Sequence, residues 1–325
     1  MARPKLIAIV WAPYESRTAT FARHLDSPLF CIHYLMWKRP WIAPIKYVLQ
    51  WFKTWAILLR ERPERIFVTN SPPVAPLCVY CYTRLSGTPY IMDTHPPTLY
   101  NRKWGWSLPL TRRLARAAYL NIVDQDRFKE LFESWGAKTM VLENPPKTAD
   151  LVALTARSAN PRFSISIVGT LADDEPVDVV VEAAKQLPDV DFFILGDKAR
   201  AKKSLLEAAP SNVTFTGYLR GDAYWLRLRE SSAVMSITTH AYSLLAGAQD
   251  GVAVQRPLIL SNQPALTAYF TKGAVFVENT VDGMVSGIRM AQDQEASLCR
   301  GIEALGAEHQ ERWQHKFDGL LQLVS

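Results

Sequence analysis

Cysteine is scarce in this chain: four in 325 residues. Cys78 and Cys81 form a single C-x-x-C, and no second pair completes a zinc site. Two buried thiols on one helix face are the expected outcome, with a redox pair as the alternative. Long apolar runs are missing too, none approaching the ~18 residues that a membrane-spanning helix needs. The charged start and short apolar run at 6–10 lack the length and small-residue cleavage site of a secretory signal. That run reads as a first buried strand, and a cytoplasmic location is expected. There is no solenoid-type repeat. The 15 glycines and 21 prolines are scattered, which excludes collagen-like and linker-like segments. No nucleic-acid-binding motif accompanies the basic charge, so a nucleic-acid partner is not expected.

The content that is present is that of a folded enzyme-sized chain. Apolar residues make up 48%, enough for packed cores. The length suits two domains of ~150 residues each. Charge is uneven: residues 1–150 carry 21 Lys and Arg against 11 Asp and Glu, and residues 151–325 carry 16 against 20. A basic first half calls for an anionic partner. Trp37, Lys38, Arg39, Pro40 and Trp41, with Lys46, Trp51, Lys53 and Trp55 beyond them, mix aromatic and cationic side chains near a helix. Such a surface suits an anionic membrane, with the aromatics at headgroup level; the alternative is that the tryptophans belong to the core and the cations are solvated.

Short apolar runs alternate with helical patterns throughout, the signature of parallel sheets with crossover helices. In the first half, strands are expected at 6–10, 29–33, 66–69, 90–93, 120–123 and 141–143. Helices are expected at 16–25 (Ser16 or Thr18 near the cap), 74–85, 108–118 and 127–135. A further helical stripe joins Ile45, Val48, Leu49, Phe52, Trp55, Ala56 and Leu59. In the second half, strands fall at 164–168, 191–195, 213–216, 234–237, 258–260 and 275–277. Helices fall at 177–187, 223–230 and 248–254, and the remainder from 281 is mostly helical. Pro145, Pro146 and Pro161 mark a hinge at 144–161. The expected domains are 1–155 and 156–325. In open α/β sheets ligands bind outside the carboxyl ends of the strands, so two such sheets predict a cleft between two Rossmann-like domains.

One stretch is more specific than the rest. Residues 247–261 run from small residues into a short helix bearing Asp250, then Arg256 and Pro257, then a strand ending in Ser261. An acid at the start of such a helix sits beside N–H groups that are free to meet an anion. The block resembles the donor-sugar site of the family-4-like glycosyltransferases of GT-B fold. Other segments resemble that family in order and spacing. They are the strand ending in Gly169 and Thr170, the strand ending in Gly196 and Asp197, the strand ending in Gly217 and Tyr218, and Gly273 to Val277. In the first half, Asp93-Thr94-His95 resembles the family's D-x-H segment. Asn70-Ser71-Pro72-Pro73 resembles a loop at another strand end.

The resemblance implies transfer of a sugar from a nucleotide-sugar donor to a saccharide or lipid-linked acceptor in surface-polysaccharide or glycolipid synthesis, at the inner face of a membrane. The donor is a substrate, and no cofactor or metal is implied. His95 or Asp93 would serve as the base that an acceptor hydroxyl needs in inverting transfer. Asp250 would hold sugar hydroxyls, with a helix cap as the alternative, and the N–H groups of Ala248, Gln249, Asp250 and Gly251 would meet the diphosphate. Thr239 and His240 would line the donor side. Arg17, Asn70 and Ser71 would line the acceptor side, with a solvated helix-start residue as the alternative for Arg17. The chain departs from the family's pattern in three places. Tyr242 and Asp250 stand where two Glu are common, and Thr170 stands where an Arg is common. The loop Ala172-Asp173-Asp174-Glu175-Pro176 lacks the expected Lys. Arg220 or Lys272 would then meet the diphosphate. These departures keep two alternatives open: a catalytically weak relative that binds a sugar or partner, and a nucleotide-sugar epimerase.

Overall fold

A computed structural model of the chain describes residues 5–34, 42–100, 102–147 and 162–324. These divide into two compact units, 1–145 with 312–325, and 146–311. The end of the last helix, expected with the second domain, therefore belongs to the first unit. Trp37 to Trp41 and most of the expected hinge lie outside the described residues.

The first unit is built on six strands: β1 (Leu6–Val10), β2 (Leu29–Cys31), β3 (Arg65–Thr69), β4 (Tyr90–Asp93), β5 (Leu120–Val123) and β6 (Thr139–Val141). All pair in parallel, in the order β2-β1-β3-β4-β5-β6. β1, β4 and β5 are buried at every residue, because helices cover both faces of such a sheet. Alternation along β1 shows the two layers. Ile7 and Ile9 pack toward α2 (Ala43–Glu61), α3 (Val74–Ser86), α5 (Leu108–Ala117) and α6 (Asp126–Ser134). Leu6 and Ala8 pack toward α1 (Ser16–His24) and toward Trp313, Phe317, Leu320 and Val324 of the last helix. A short α4 (Pro96–Tyr100) follows β4.

The second unit repeats the scheme with β7 (Phe163–Val168), β8 (Val190–Leu195), β9 (Val213–Gly217), β10 (Ala233–Ser236), β11 (Leu258–Ser261) and β12 (Ala274–Val277). Their order is β12-β11-β10-β7-β8-β9. The chain lays down β7 to β9 in one direction, then returns to the other side of β7 to place β10. The point where the order reverses is the gap between β7 and β10, the preferred ligand position in such sheets. α7 (Val177–Lys185) and α12 (Val281–Asp293) cover one face. α9 (Asp222–Glu230), α10 (Ala246–Ala253), α11 (Pro264–Tyr269) and the start of α13 (Glu295–Val324) cover the other, and α8 (Lys203–Ala208) lies beside α7.

Two local expectations are corrected. Helix α1 is capped by Glu15, whose carboxylate accepts the N–H groups of Arg17 at 3.0 Å and Thr18 at 2.5 Å. Ser16 and Thr18 are already helical. The α2 stripe is also split: Ile45, Val48, Leu49, Phe52 and Leu59 are exposed, whereas Trp55 packs half-buried against the core and donates to the Cys78 carbonyl at 3.2 Å. The buried side instead holds Gln50 and Thr54 with Ile57 and Leu58. Gln50 is anchored by donating to the Ile32 carbonyl at 2.7 Å, and Thr54 by accepting from Trp11 Nε1 at 2.9 Å. No helix among the described residues is long and apolar enough to cross a membrane.

Candidate functional site

Each unit gathers polar groups at the carboxyl ends of its strands. In the first unit the centre is Asp93, the last residue of β4, fully buried. Arg17 reaches it from the first turn of α1. Its Nε donates to both Asp93 oxygens at 3.1 Å, and Nη2 to Oδ1 at 3.1 Å. The other Nη2 hydrogen goes to the Leu142 carbonyl at 2.6 Å, and one Nη1 hydrogen goes to Asn144 Oδ1 at 2.9 Å. Arg17 is therefore buried rather than solvated, and it clamps Asp93. Burial opposes the Asp93 charge, but Arg17 and His95 outweigh it and hold the carboxyl down at about 2.

His95 Nε2 lies 3.3 Å from Asp93 Oδ2, within ion-pair distance. Burial disfavours the imidazolium, but Asp93 favours it more strongly, and the His95 pKa is raised. Asp124, directly after β5, joins this group and was not singled out by the sequence. Burial pushes its carboxyl up to about 6 against the opposing pull of Arg17 and His95. An acid immediately following a buried apolar strand was the signal available for it. Asn70 is buried at the end of β3 and donates from Nδ2 to Thr94 Oγ1 at 3.3 Å, while Ser71 is exposed. Asn70 Oδ1 and Asp124 Oδ1 are both buried without a hydrogen-bond partner among the described residues. Such atoms call for water or a ligand.

In the second unit a cavity of about 480 Å³ opens at the β7–β10 gap. Its floor is made by Val168 and Gly169 after β7, Leu195 and Gly196 after β8, and Ser236 at the end of β10. Tyr218, Arg220 and Tyr224 form one wall, and Ala246 and Gly247 at the start of α10 form another, with Asp250 between. Helix α10 has no side-chain cap. Its Gln249 N–H is already spent on the Leu245 carbonyl, so the N–H groups available to an anion are those of Ala246, Gly247 and Ala248. A larger cavity of about 670 Å³ lies between α7 and α8 on the outer side of the acidic loop, away from the β7–β10 gap.

Asp250 is buried and doubly held: Lys147 Nζ donates to Oδ1 at 2.5 Å and the Tyr224 hydroxyl to Oδ2 at 2.6 Å. Burial, and then Asp250 itself, raise the Tyr224 pKa, so the phenol stays protonated and donates. Lys147, 103 residues away in sequence, is the cation paired with Asp250. Pattern reading has no access to that pairing.

The structure brings Gly169, Thr170, Gly196, Tyr218 and Asp250 to this cavity. Other expected donor residues lie around it. Asp197 accepts the Ala199 N–H at 3.1 Å and caps the turn Lys198–Arg200. Gly217 has a left-handed φ of +79°. Thr239 donates its N–H to the Asp174 carbonyl at 2.8 Å, and His240 Nε2 lies 3.7 Å from Asp174 Oδ2. Ala248 is buried in the core. Gly251 has no room for a side chain, since a Cβ would collide with Leu258 and stand 3.1 Å from Val234 Cβ. Its role is close helix–sheet contact. Lys272 is paired with Glu308, whereas Arg220 lines the cavity. Two Asp-x-Asp strings do occur, at 124–126 and 189–191. In the second, Asp189 binds Arg289 and Asp191 lies 3.3 Å from Arg162.

No protein-family model and no curated protein matches the sequence. Solved structures do match in shape. Sucrose-phosphate synthase from Thermosynechococcus elongatus aligns over 99% of this chain and 98% of its own, at 12% identity and a TM-score of 0.72. Anabaena HepE, in complex with UDP and glucose, aligns over 98% of this chain and 100% of its own, at 12% identity and a TM-score of 0.71. A glycosyltransferase from Rickettsia africae aligns over 100% of this chain and 98% of its own, at 12% identity and a TM-score of 0.68. With two six-stranded parallel sheets matched end to end to these proteins, the chain has the GT-B fold of glycosyltransferases.

Proposed function

We propose that this protein transfers a sugar from a nucleoside-diphosphate sugar to an acceptor hydroxyl. The observation that carries the reading is the cavity at the β7–β10 gap, where the uncapped start of α10, Arg220 and the Lys147–Asp250–Tyr224 group converge. Helix N–H groups and Arg220 supply what a leaving diphosphate needs. Asp250 offers a fixed carboxylate to sugar hydroxyls. The exposed Tyr218 offers a ring face to the base. HepE, similar in fold, is a protein whose structures hold UDP and UDP-glucose.

On the acceptor side, His95 takes the hydroxyl proton and Asp93 stabilises the resulting imidazolium. The acceptor is carried by lipid at an anionic membrane surface. Support comes from the exposed apolar stripe on α2 and from Arg112, Arg113 and Arg116 on α5, both in the helix layer that covers one face of the first sheet. The test is a thermal-shift titration with UDP-, GDP- and ADP-linked sugars, followed by an assay for nucleotide release. A donor at 100-fold over its Kd should add about 2.7 kcal/mol of stability. Asp250→Ala should remove most of that gain. If no nucleotide sugar stabilises the protein, the transferase reading falls.

A further inference from the structure

The loop after β7 holds a feature that the proposed reaction does not use. Glu175 folds back over the strand end, and its carboxylate accepts the N–H groups of Thr170 at 2.7 Å and Ala172 at 3.3 Å, with the Thr170 hydroxyl at 3.3 Å. Successive backbone N–H groups converging at a strand end form an anion-binding concavity. Here that concavity borders the candidate donor cavity, and Glu175 itself lines it. The fit is close: a Cβ on Gly169 would stand 2.6 Å from Glu175 Oε2, so Gly169 keeps the space that the carboxylate needs. Neighbouring contacts hold the loop in place. Thr238 Oγ1 donates to Asp174 Oδ2 at 3.1 Å, and Thr239 N donates to the Asp174 carbonyl at 2.8 Å.

Resting on the transferase reading, we propose that Glu175 is a built-in anion that competes with the donor's phosphates and sets the affinity of the site for them. Its carboxylate neutralises the N–H groups after β7 and repels a second negative charge entering the cavity. The donor diphosphate is left with the start of α10 and Arg220 only. Glu175 thereby weakens diphosphate binding selectively, without touching the uncharged parts of the donor. A purely bracing role predicts the opposite, since loss of the brace would loosen the loop and weaken every ligand.

The experiment is calorimetric titration of the whole chain with UDP and with uridine, for wild type, Glu175→Gln and Glu175→Ala. Glutamine keeps an acceptor for the Thr170 and Ala172 N–H groups and removes only the charge, so it decides the matter even if the alanine variant folds poorly. UDP should bind Glu175→Gln about tenfold more tightly than wild type. Uridine affinity should stay unchanged. Equal or weaker UDP binding by Glu175→Gln, with wild type binding UDP normally, overturns the Glu175 proposal and leaves the transferase reading in place. Absence of UDP binding in wild type and both variants overturns the transferase reading, and the Glu175 proposal with it.

Discussion

At the scale of single residues, the first unit stakes most on one carboxylate. Asp93 is charged and fully buried, so its stability depends on Arg17 staying in place. Asp124 works in the other direction. Its carboxyl is raised to about 6 by burial, against ~3.9 when unfolded. The folded state therefore holds the proton more tightly than the unfolded chain. The resulting stability is greatest below the unfolded value and is lost as pH rises through about 6. Asp124→Asn should remove that loss and raise stability by about 3 kcal/mol at pH 8, with the gain shrinking toward pH 4. Urea unfolding at the two pH values reads this directly, and an equal effect at both would refute the assignment. Asp93 and His95 were legible in the sequence, because a D-x-H at the end of an apolar strand advertises itself. Their partner Arg17, 76 residues from Asp93, was placed at the right turn, but its pairing with Asp93 was not legible in the sequence.

At the scale of elements, the periodicities located nearly every strand and helix, because fully buried parallel strands and long helical runs are strong signals. They failed on α2 for a physical reason. That helix has apolar residues on two faces, and a 3.6-residue period cannot say which face goes inward. Burial of Gln50 and Thr54 is possible only because each finds a hydrogen bond in the fold. The stripe left outside, with Lys53 beside it, predicts a membrane contact. Phe52, 70% exposed, can be changed at little cost to the core. Phe52→Asp should keep the wild-type melting temperature and lose at least about tenfold in partitioning to anionic phosphatidylglycerol vesicles. Unchanged partitioning would remove the membrane part of the proposal.

At the scale of the whole molecule, the last helix begins with the second unit and ends in the first. Its final turns complete one face of the first sheet. Trp313 is 2% exposed and lies stacked 4.8 Å from Phe317 and 6.5 Å from Phe21. Trp313→Ala should cost about 3–5 kcal/mol of unfolding free energy. UDP affinity should not change, since Trp313 belongs to the first unit and the residues lining the candidate donor cavity belong to the second. A loss of UDP binding equal to the loss of stability would show the units to be energetically inseparable.

The amino-acid pattern alone was enough to locate the two sheets, the positions of their strands and the strand ends that carry polar residues. Those features follow from local pattern: buried apolar runs, turn residues and an acid or histidine at a strand's end. Tertiary structure decided the rest, because each outcome depends on residues far apart in the chain. It gave Asp93 its cation and Asp250 its lysine, and turned most of the apolar stripe of α2 outward. It also set the Glu175 carboxylate over the N–H groups after β7, a contact that the acidic loop does not reveal by local pattern.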